Sequence, residues 1–267
     1  MIKVLVSGAA GRMGREVLKT VFHSDDMVLV SAVDPVAPGQ STAVLTGVAD
    51  MQLVVEADLA EALKRHSPDV MVDFTTPRSV AGNVELALNA GVRPVVGTTG
   101  LAAADIERLS RLAAEKKLGG IIAPNFAIGA ILMMQFAVAA SKYFPHCEII
   151  ELHHDQKLDA PSGTAIKTAE LIAARRGDFV QGLPAEVEKI PGARGGEFSG
   201  GIRIHSVRLP GFVAHQEVIF GGLGQTLTIR HDSISRESFM PGVQLAIRRV
   251  MDLQELVYGL EKVIFEN

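Results

Sequence analysis

An alternation between short β-branched runs and stretches of helical periodicity constrains the first half of this chain more than any other feature. The runs Ile2 to Ser7, Met27 to Val33, Val70 to Phe74, Val92 to Val96 and Gly120 to Ala123 are close to continuously apolar, as strands covered on both faces must be. Between them lie helical patterns, one opening at the glycine-rich GAAGRMG and running to Phe22, others at Asp58 to Arg65, Ser79 to Asn89 and Ala103 to Lys117. This βαβα rhythm predicts an α/β protein with a Rossmann-like, doubly wound parallel sheet. Right-handed crossovers bring the carboxyl ends of such strands to one edge, where a ligand is expected.

The texture changes after Asn125. A long apolar helix, Ile128 to Tyr143, leads to a strand, Glu148 to His153, and a second helix, Thr164 to Arg176. A glycine-rich loop around Gly192 to Gly201 precedes the segments Ile202 to Leu209, Val213 to Phe220 and Gln225 to His231. Their alternation predicts antiparallel strands with one exposed face, in a second α+β domain with an open mixed sheet. The tail is helical again from Phe239 to Met251. The expected division is a cofactor domain at 1–125, a second α+β domain at 126–237, and a return to the first domain at 238–267.

Composition removes several classes. With a net charge of −4 over 267 residues and no cluster of Lys and Arg, the chain lacks the basic footprint of a nucleic-acid binder. Its most apolar segment, Ala127 to Ala140, is shorter than the roughly 20 residues a membrane span needs and reads as a buried helix. The opening MIKVLVSGAAG enters a strand at once, without the pattern of a secretory leader. The single cysteine, Cys147, excludes an internal disulfide framework and fits a reducing compartment. A cytoplasmic protein is expected.

Gly8, Gly11 and Gly14 stand where the first strand turns into the first helix. Glycine permits positive φ and close approach of a ligand, and the helix N-terminus presents N–H groups to a pyrophosphate. Ala10 occupies the middle of what is here G-x-x-G-x-x-G. The competing reading is a turn that only packs helix on strand. Asp34 closes the second strand at the expected spacing of about 20 residues, where a carboxylate accepts from ribose hydroxyls. A solvated aspartate opening a turn before Pro35 is its alternative. Phe74-Thr75-Thr76-Pro77, Gly97-Thr98-Thr99-Gly100 and Ala123-Pro124-Asn125-Phe126 end three further strands and complete one crevice for a nicotinamide nucleotide.

The second constellation is HHDQKLDAPSGTA, from His153 to Ala165. Pro161 stops the preceding path, Ser162 suits an N-cap, and Gly163 and Thr164 present N–H groups at a helix start, a receptor for carboxylate. His153, His154 and Lys157 add groups that hold a dianion and supply a proton. A metal site would need a third ligand at close spacing, and none is expected. Lys157 with Asp159 also reads as a surface pair. Arg203, Arg208 and His215 on the later strands are candidates to reach the substrate or a neighbouring subunit, and the competing reading is of long side chains solvated on a half-exposed sheet.

Together these motifs resemble the dihydrodipicolinate (4-hydroxy-tetrahydrodipicolinate) reductase family over nearly the whole chain. Its signature Glu-x-x-Glu-x-His-x-x-x-Lys-x-Asp-x-Pro-Ser-Gly-Thr-Ala is met without a gap from Glu148 to Ala165, and GAAGRMG, VDFTTP, VGTTG and APNFAIG follow the family's order. The resemblance implies an NAD(P)H-dependent reductase of lysine and diaminopimelate synthesis, acting on a small dicarboxylate as a homotetramer. It implies His153 as the acid, assisted by Lys157, and His154, Gly163 and Thr164, with Ser162, on the substrate carboxylates. It places the dinucleotide on Gly8, Ala9, Ala10, Gly11, Arg12 and Met13, on Asp34, on Gly97, Thr98 and Thr99, and on Ala123, Pro124, Asn125 and Phe126, with Phe74 beside them. Many relatives carry an arginine after the acidic residue, where it would clasp a 2′-phosphate; Pro35 stands there here. Arg12 and Arg15 remain in reach, so dual use or a preference for NADH is expected. The rival readings are another two-domain dehydrogenase, of the aspartate or homoserine type, and a non-catalytic NAD(P)H sensor. Neither has a use for the His-His-Lys cluster.

Overall fold

The computed structural model describes residues 1–183 and 185–265. Pro184, inside the segment 126–237, and Glu266 and Asn267, ending the segment 238–267, lie outside the described residues. The chain divides into two compact units, Met1–Phe126 with Phe239–Asn267, and Ala127–Ser238. In order it forms β1 (Ile2–Ser7), α1 (Arg12–Phe22), β2 (Met27–Val33), α2 (Thr42–Thr46), α3 (Leu59–His66), β3 (Val70–Asp73), α4 (Val80–Asn89), β4 (Arg93–Val96), α5 (Ala103–Lys116) and β5 (Gly120–Ile122). The second unit follows with α6 (Ile128–Ser141), β6 (His146–His153), α7 (Gly163–Arg176), β7 (Gly196–Glu197), β8 (Arg203–Arg208), β9 (Ala214–Gly222) and β10 (Gln225–Ser233). The chain returns to the first unit with α8 (Met240–Arg249), β11 (Leu256–Tyr258) and α9 (Leu260–Phe265).

The first unit is the expected doubly wound sheet, with strand order β11-β5-β4-β3-β1-β2 and every pairing parallel. Leu5 and Met71 of the sheet meet Leu59, Leu63 and Ala87 of α3 and α4 in one core cluster. Val96 and Ile122 meet Val84, Leu88 and Leu109 of α4 and α5 in another. Each fully buried side chain of this size stabilises by about 1.5–3 kcal/mol. Helix α3 shows how the sequence sets its ends. Asp58 caps it by accepting from Glu61 N–H at 3.0 Å, and its last turn carries Lys64, Arg65 and His66 against the negative end of the dipole. The sheet reverses its winding at β1, flanked by β2 and β3, so the crevice opens at the carboxyl ends of β1 and β3.

The second unit is a mixed sheet in the order β10-β9-β6-β8-β7. β9 and β10 pair antiparallel, as alternation predicted, in a hairpin. β8 departs from expectation: it lies across β6 from β9 and runs parallel to β6. The connection through α7 is a crossover rather than a hairpin, and a crossover delivers a parallel strand. Along β6, Cys147, Ile149 and Glu151 share the buried row, and Cys147 and Ile149 pack with Ala137 of α6 and Ala169 and Ile172 of α7. Glu151 is thus a carboxylate on the apolar face. Helix α6 has 14 residues, and among the described residues no helix is long and apolar enough to cross a membrane. The short α2, β11 and α9 were not anticipated, because segments of this length carry too few residues to show a period.

Candidate active site

The glycine turn of the first unit is built tightly. Gly8 has φ +81°, and a Cβ there would stand 2.3 Å from the Phe74 carbonyl oxygen. A Cβ on Gly14 would stand 2.0 Å from the carbonyl oxygen of Gly8, so this glycine serves the packing of α1 on the turn. Gly11 is the N-cap of α1, and no side chain caps the helix there. Its first turn, with Arg12 and Met13, therefore opens with backbone donors beside a bare glycine, the arrangement that fits a pyrophosphate. Buried Asp34 fastens the turn, taking Ala10 N–H on Oδ2 and Val36 N–H on Oδ1, both at 3.0 Å. Each oxygen keeps a further lone pair for a hydroxyl donor. Arg15 Nε donates to the Ala10 carbonyl at 2.9 Å, while Arg12 is exposed. Buried Ala9 completes the turn.

Phe74, Gly97 and Phe126 come together at adjacent strand ends. The Phe74 and Phe126 rings lie with centroids 5.8 Å apart, and a Cβ on Gly97 would enter the Phe74 ring at 2.0 Å. Glycine here lets the aromatic ring cross the end of β4. Ala123 and Phe126 are buried, Asn125 is half-buried and Pro124 and Thr99 are exposed.

Thr98 faces inward instead. Its hydroxyl donates to Asp73 Oδ1 at 2.7 Å and accepts Thr75 N–H at 2.7 Å. The fully buried Asp73 is the residue that sequence reasoning missed in this unit. Oδ1 also accepts the Thr75 hydroxyl at 2.8 Å and Oδ2 accepts Asn83 Nδ2 at 2.8 Å. An acid ending an apolar strand is the signal that would have found it, since a buried carboxylate requires partners.

In the second unit, β6 ends at His153, and the loop that follows carries half-buried His154 and Lys157. Lys157 Nζ pairs with Asp159 Oδ1 at 2.7 Å, and the ammonium beside it holds the Asp159 carboxyl below its usual range. Buried Ser162 caps α7, its hydroxyl accepting Ala165 N–H at 3.2 Å. The cap uses the hydroxyl, so what the turn offers outward is the exposed Gly163, with open space where a Cβ would stand, and half-buried Thr164.

Glu151 organises this end of the sheet. One oxygen, Oε2, takes His153 Nδ1 and Arg208 Nη1, the latter at 2.9 Å. The other, Oε1, takes Arg208 Nη2 at 2.7 Å and Ser162 N–H at 3.2 Å. Burial pushes this carboxyl up, and the bonds from His153, Arg208 and Ser206 outweigh that and hold it down at about 2. Arg208 also donates to the Asp159 carbonyl at 2.7 Å.

Of the readings open for Arg208, the solvated side chain is therefore set aside. The parallel register sets Arg208 beside His153, on the face of the sheet where Glu151 needs a cation. Arg203 pairs with Glu197 at 3.0 Å, and His215 Nδ1 with Asp232 at 2.6 Å.

Comparison with known proteins matches both halves of the chain to one family. Residues 2–126 match the model described as dihydrodipicolinate reductase, N-terminus, and residues 129–264 the model for its C-terminus. The 4-hydroxy-tetrahydrodipicolinate reductase of Desulfitobacterium hafniense (strain DSM 10664 / DCB-2) is 59% identical over 261 residues, covering 97% of each chain. That of Geobacillus kaustophilus (strain HTA426) is 57% identical over 263 residues, 98% of this chain and 99% of its own. Among solved structures, the dipicolinate-bound dihydrodipicolinate reductase from Paenisporosarcina sp. TG-14 superposes with a TM-score of 0.86 at 48% identity, over 98% of this chain and 99% of that one.

Proposed function

The chain belongs to the dihydrodipicolinate reductase family, and from that premise we propose that it reduces 4-hydroxy-tetrahydrodipicolinate to tetrahydrodipicolinate with NADH or NADPH. The observation that carries this reading is the cluster at the end of β6, where a histidine tied to a buried carboxylate stands in the same segment as a capped helix start and Lys157. A ring with two carboxylates needs such an anion receptor beside a proton source.

In the first unit, Gly8 to Met13 would hold the pyrophosphate and Asp34 the ribose, with Phe74, Gly97 to Thr99 and Ala123 to Phe126 about the nicotinamide. When bound, the reduced nicotinamide supplies a hydride to C4 of the conjugated cyclic imine left by loss of water from the substrate. In the second unit, Lys157, His154 and the amides of Gly163 and Thr164, held in place by Ser162, fix the two carboxylates. As C4 gains the hydride, the electron pair of its double bond moves to the neighbouring ring carbon. His153, assisted by Lys157, delivers the proton there.

The tetramer expected from the family resemblance is supported by exposed apolar side chains of the second unit, Leu209, Leu223 and Leu227, and is checked by light scattering. The buried free thiol of Cys147 suits a reducing compartment, and we place the enzyme in the cytoplasm.

The test follows NADH and NADPH oxidation separately, with product freshly made by a synthase from pyruvate and aspartate semialdehyde. Oxidation that depends on that product, and a His153→Gln variant reduced in kcat by about 10²–10⁴-fold, are expected. Binding of NADH by folded protein without turnover would establish a sensor instead.

A further inference from the structure

We infer that Glu151 is a positioning residue for proton transfer, acting through His153. This rests on His153 as the proton donor proposed above. A carboxylate only accepts, so the ring nitrogen it engages must carry a hydrogen. With Nδ1 bound to Glu151, Nε2 alone is left to exchange a proton with a ligand, and the ring cannot rotate without leaving a buried carboxylate short of a donor. The same carboxylate accepts from Ser162 N–H at the start of α7 and, through Arg208, is joined to the Asp159 carbonyl in the Lys157 loop. One fully buried side chain thus sets the ring tautomer and aligns it with the segment that receives the carboxylates. Residues that orient a catalytic base through its far nitrogen work in this way.

The geometry predicts what an isosteric amide would do. Oε1 accepts Arg208 Nη2 and Ser162 N–H, and Oε2 accepts Arg208 Nη1 and His153 Nδ1. Of these donors only the ring nitrogen can turn acceptor, so in Glu151→Gln the amide oxygen stays with Arg208 and Ser162 and its NH₂ turns to His153 Nδ1. Nδ1 must then accept, and the proton shifts to Nε2, the wrong tautomer for the wild-type arrangement.

The experiment is a double-mutant cycle on the full-length enzyme with Glu151→Gln, His153→Gln and the pair, measuring kcat and substrate KM. Glu151→Gln is expected to lower kcat by about 10–100-fold and to have no further effect on kcat once His153 is glutamine. Independent, multiplying effects would overturn the inference and leave the role of His153 standing. An unchanged kcat in His153→Gln would remove both. Because Glu151→Gln leaves Arg208 without a charged partner and can misfold, ¹⁵N-histidine NMR of the wild type tests the same point. At a pH where the ring is neutral, His153 is expected as the Nδ1–H tautomer, opposite to the preference of free histidine. The Nε2–H tautomer would overturn the inference.

Discussion

Each unit carries a fully buried carboxylate on a central strand, Asp73 at the end of β3 and Glu151 two residues before the end of β6, and the two are satisfied in different ways. Among the described residues Asp73 is held only by neutral donors, the hydroxyls of Thr75 and Thr98, the Thr75 N–H and the Asn83 amide. Glu151 is held by an arginine fork, a histidine and a helix N-terminus. Neutral donors shape two loops, which suits the proposed site presenting backbone and aromatic surface to a nucleotide. Cationic donors balance the charge and bring titratable chemistry to the same spot. On the proposed roles, the difference separates a carboxylate that builds a cradle from one that prepares a proton donor.

Removing the cation should break the comparison most severely. Arg208→Ala leaves Glu151 buried with much of its compensation gone, and loss of one partner of a buried pair costs about 3–5 kcal/mol. Urea unfolding followed in the second unit should show it. A loss below about 1 kcal/mol would mean that water or Ser206 replaces the guanidinium, and the contrast with Asp73 would collapse.

The acid limb of stability comes next. The folded Glu151 carboxyl is lowered from an ordinary 4.5 to about 2, so its contribution is fully present above about pH 4.5. It is lost as pH falls from there through about 2, with a slope of at most about 1.4 kcal/mol per pH unit. Unfolding free energies measured across that window should show the slope in the wild type and lose it in Glu151→Gln. An equal slope in both proteins would place the acid sensitivity elsewhere.

Much of this was readable before any coordinates, and what was not has a common cause. The parallel sheet was legible because β1 to β5 are apolar runs with helical patterns between them, and the α7 start because Pro161-Ser162-Gly163 is local punctuation. Asp73, Glu151 and Arg208 were passed over as partners, since a sequence shows a residue's type and not who faces it. Arg208 and Arg203 occupy one strand and looked alike. Only the parallel register of β8 against β6, where alternation predicts antiparallel strands, puts Arg208 beside His153.

Smaller effects sharpen the neutral side of the comparison. Asp73→Asn keeps the shape but sets an amide NH₂ against Asn83 Nδ2, two donors face to face, at a cost of about 1–3 kcal/mol. It should raise KM for the dinucleotide while leaving the kcat of the loaded enzyme within about twofold, the signature of lost uniform binding. The double variant Asp73→Asn with Asn83→Asp restores donor to acceptor and should recover most of both losses. Failure to recover would mean that the charge itself, and not the pattern of donors, is what the loops require.

Arg203→Ala should have the smallest effect, and it tests the argument from register directly. Arg203 begins the strand that Arg208 ends, and its partner Glu197 is 59% exposed, against 0% for Glu151. An ion pair open to water on one side gains little Coulomb energy and orders two flexible side chains, so it contributes about 0–1 kcal/mol. The midpoint of urea unfolding should move by a correspondingly small amount, and kcat should not change. A loss as large as that of Arg208→Ala would show that position along β8, and not the burial of the carboxylate it meets, decides what an arginine contributes to this sheet.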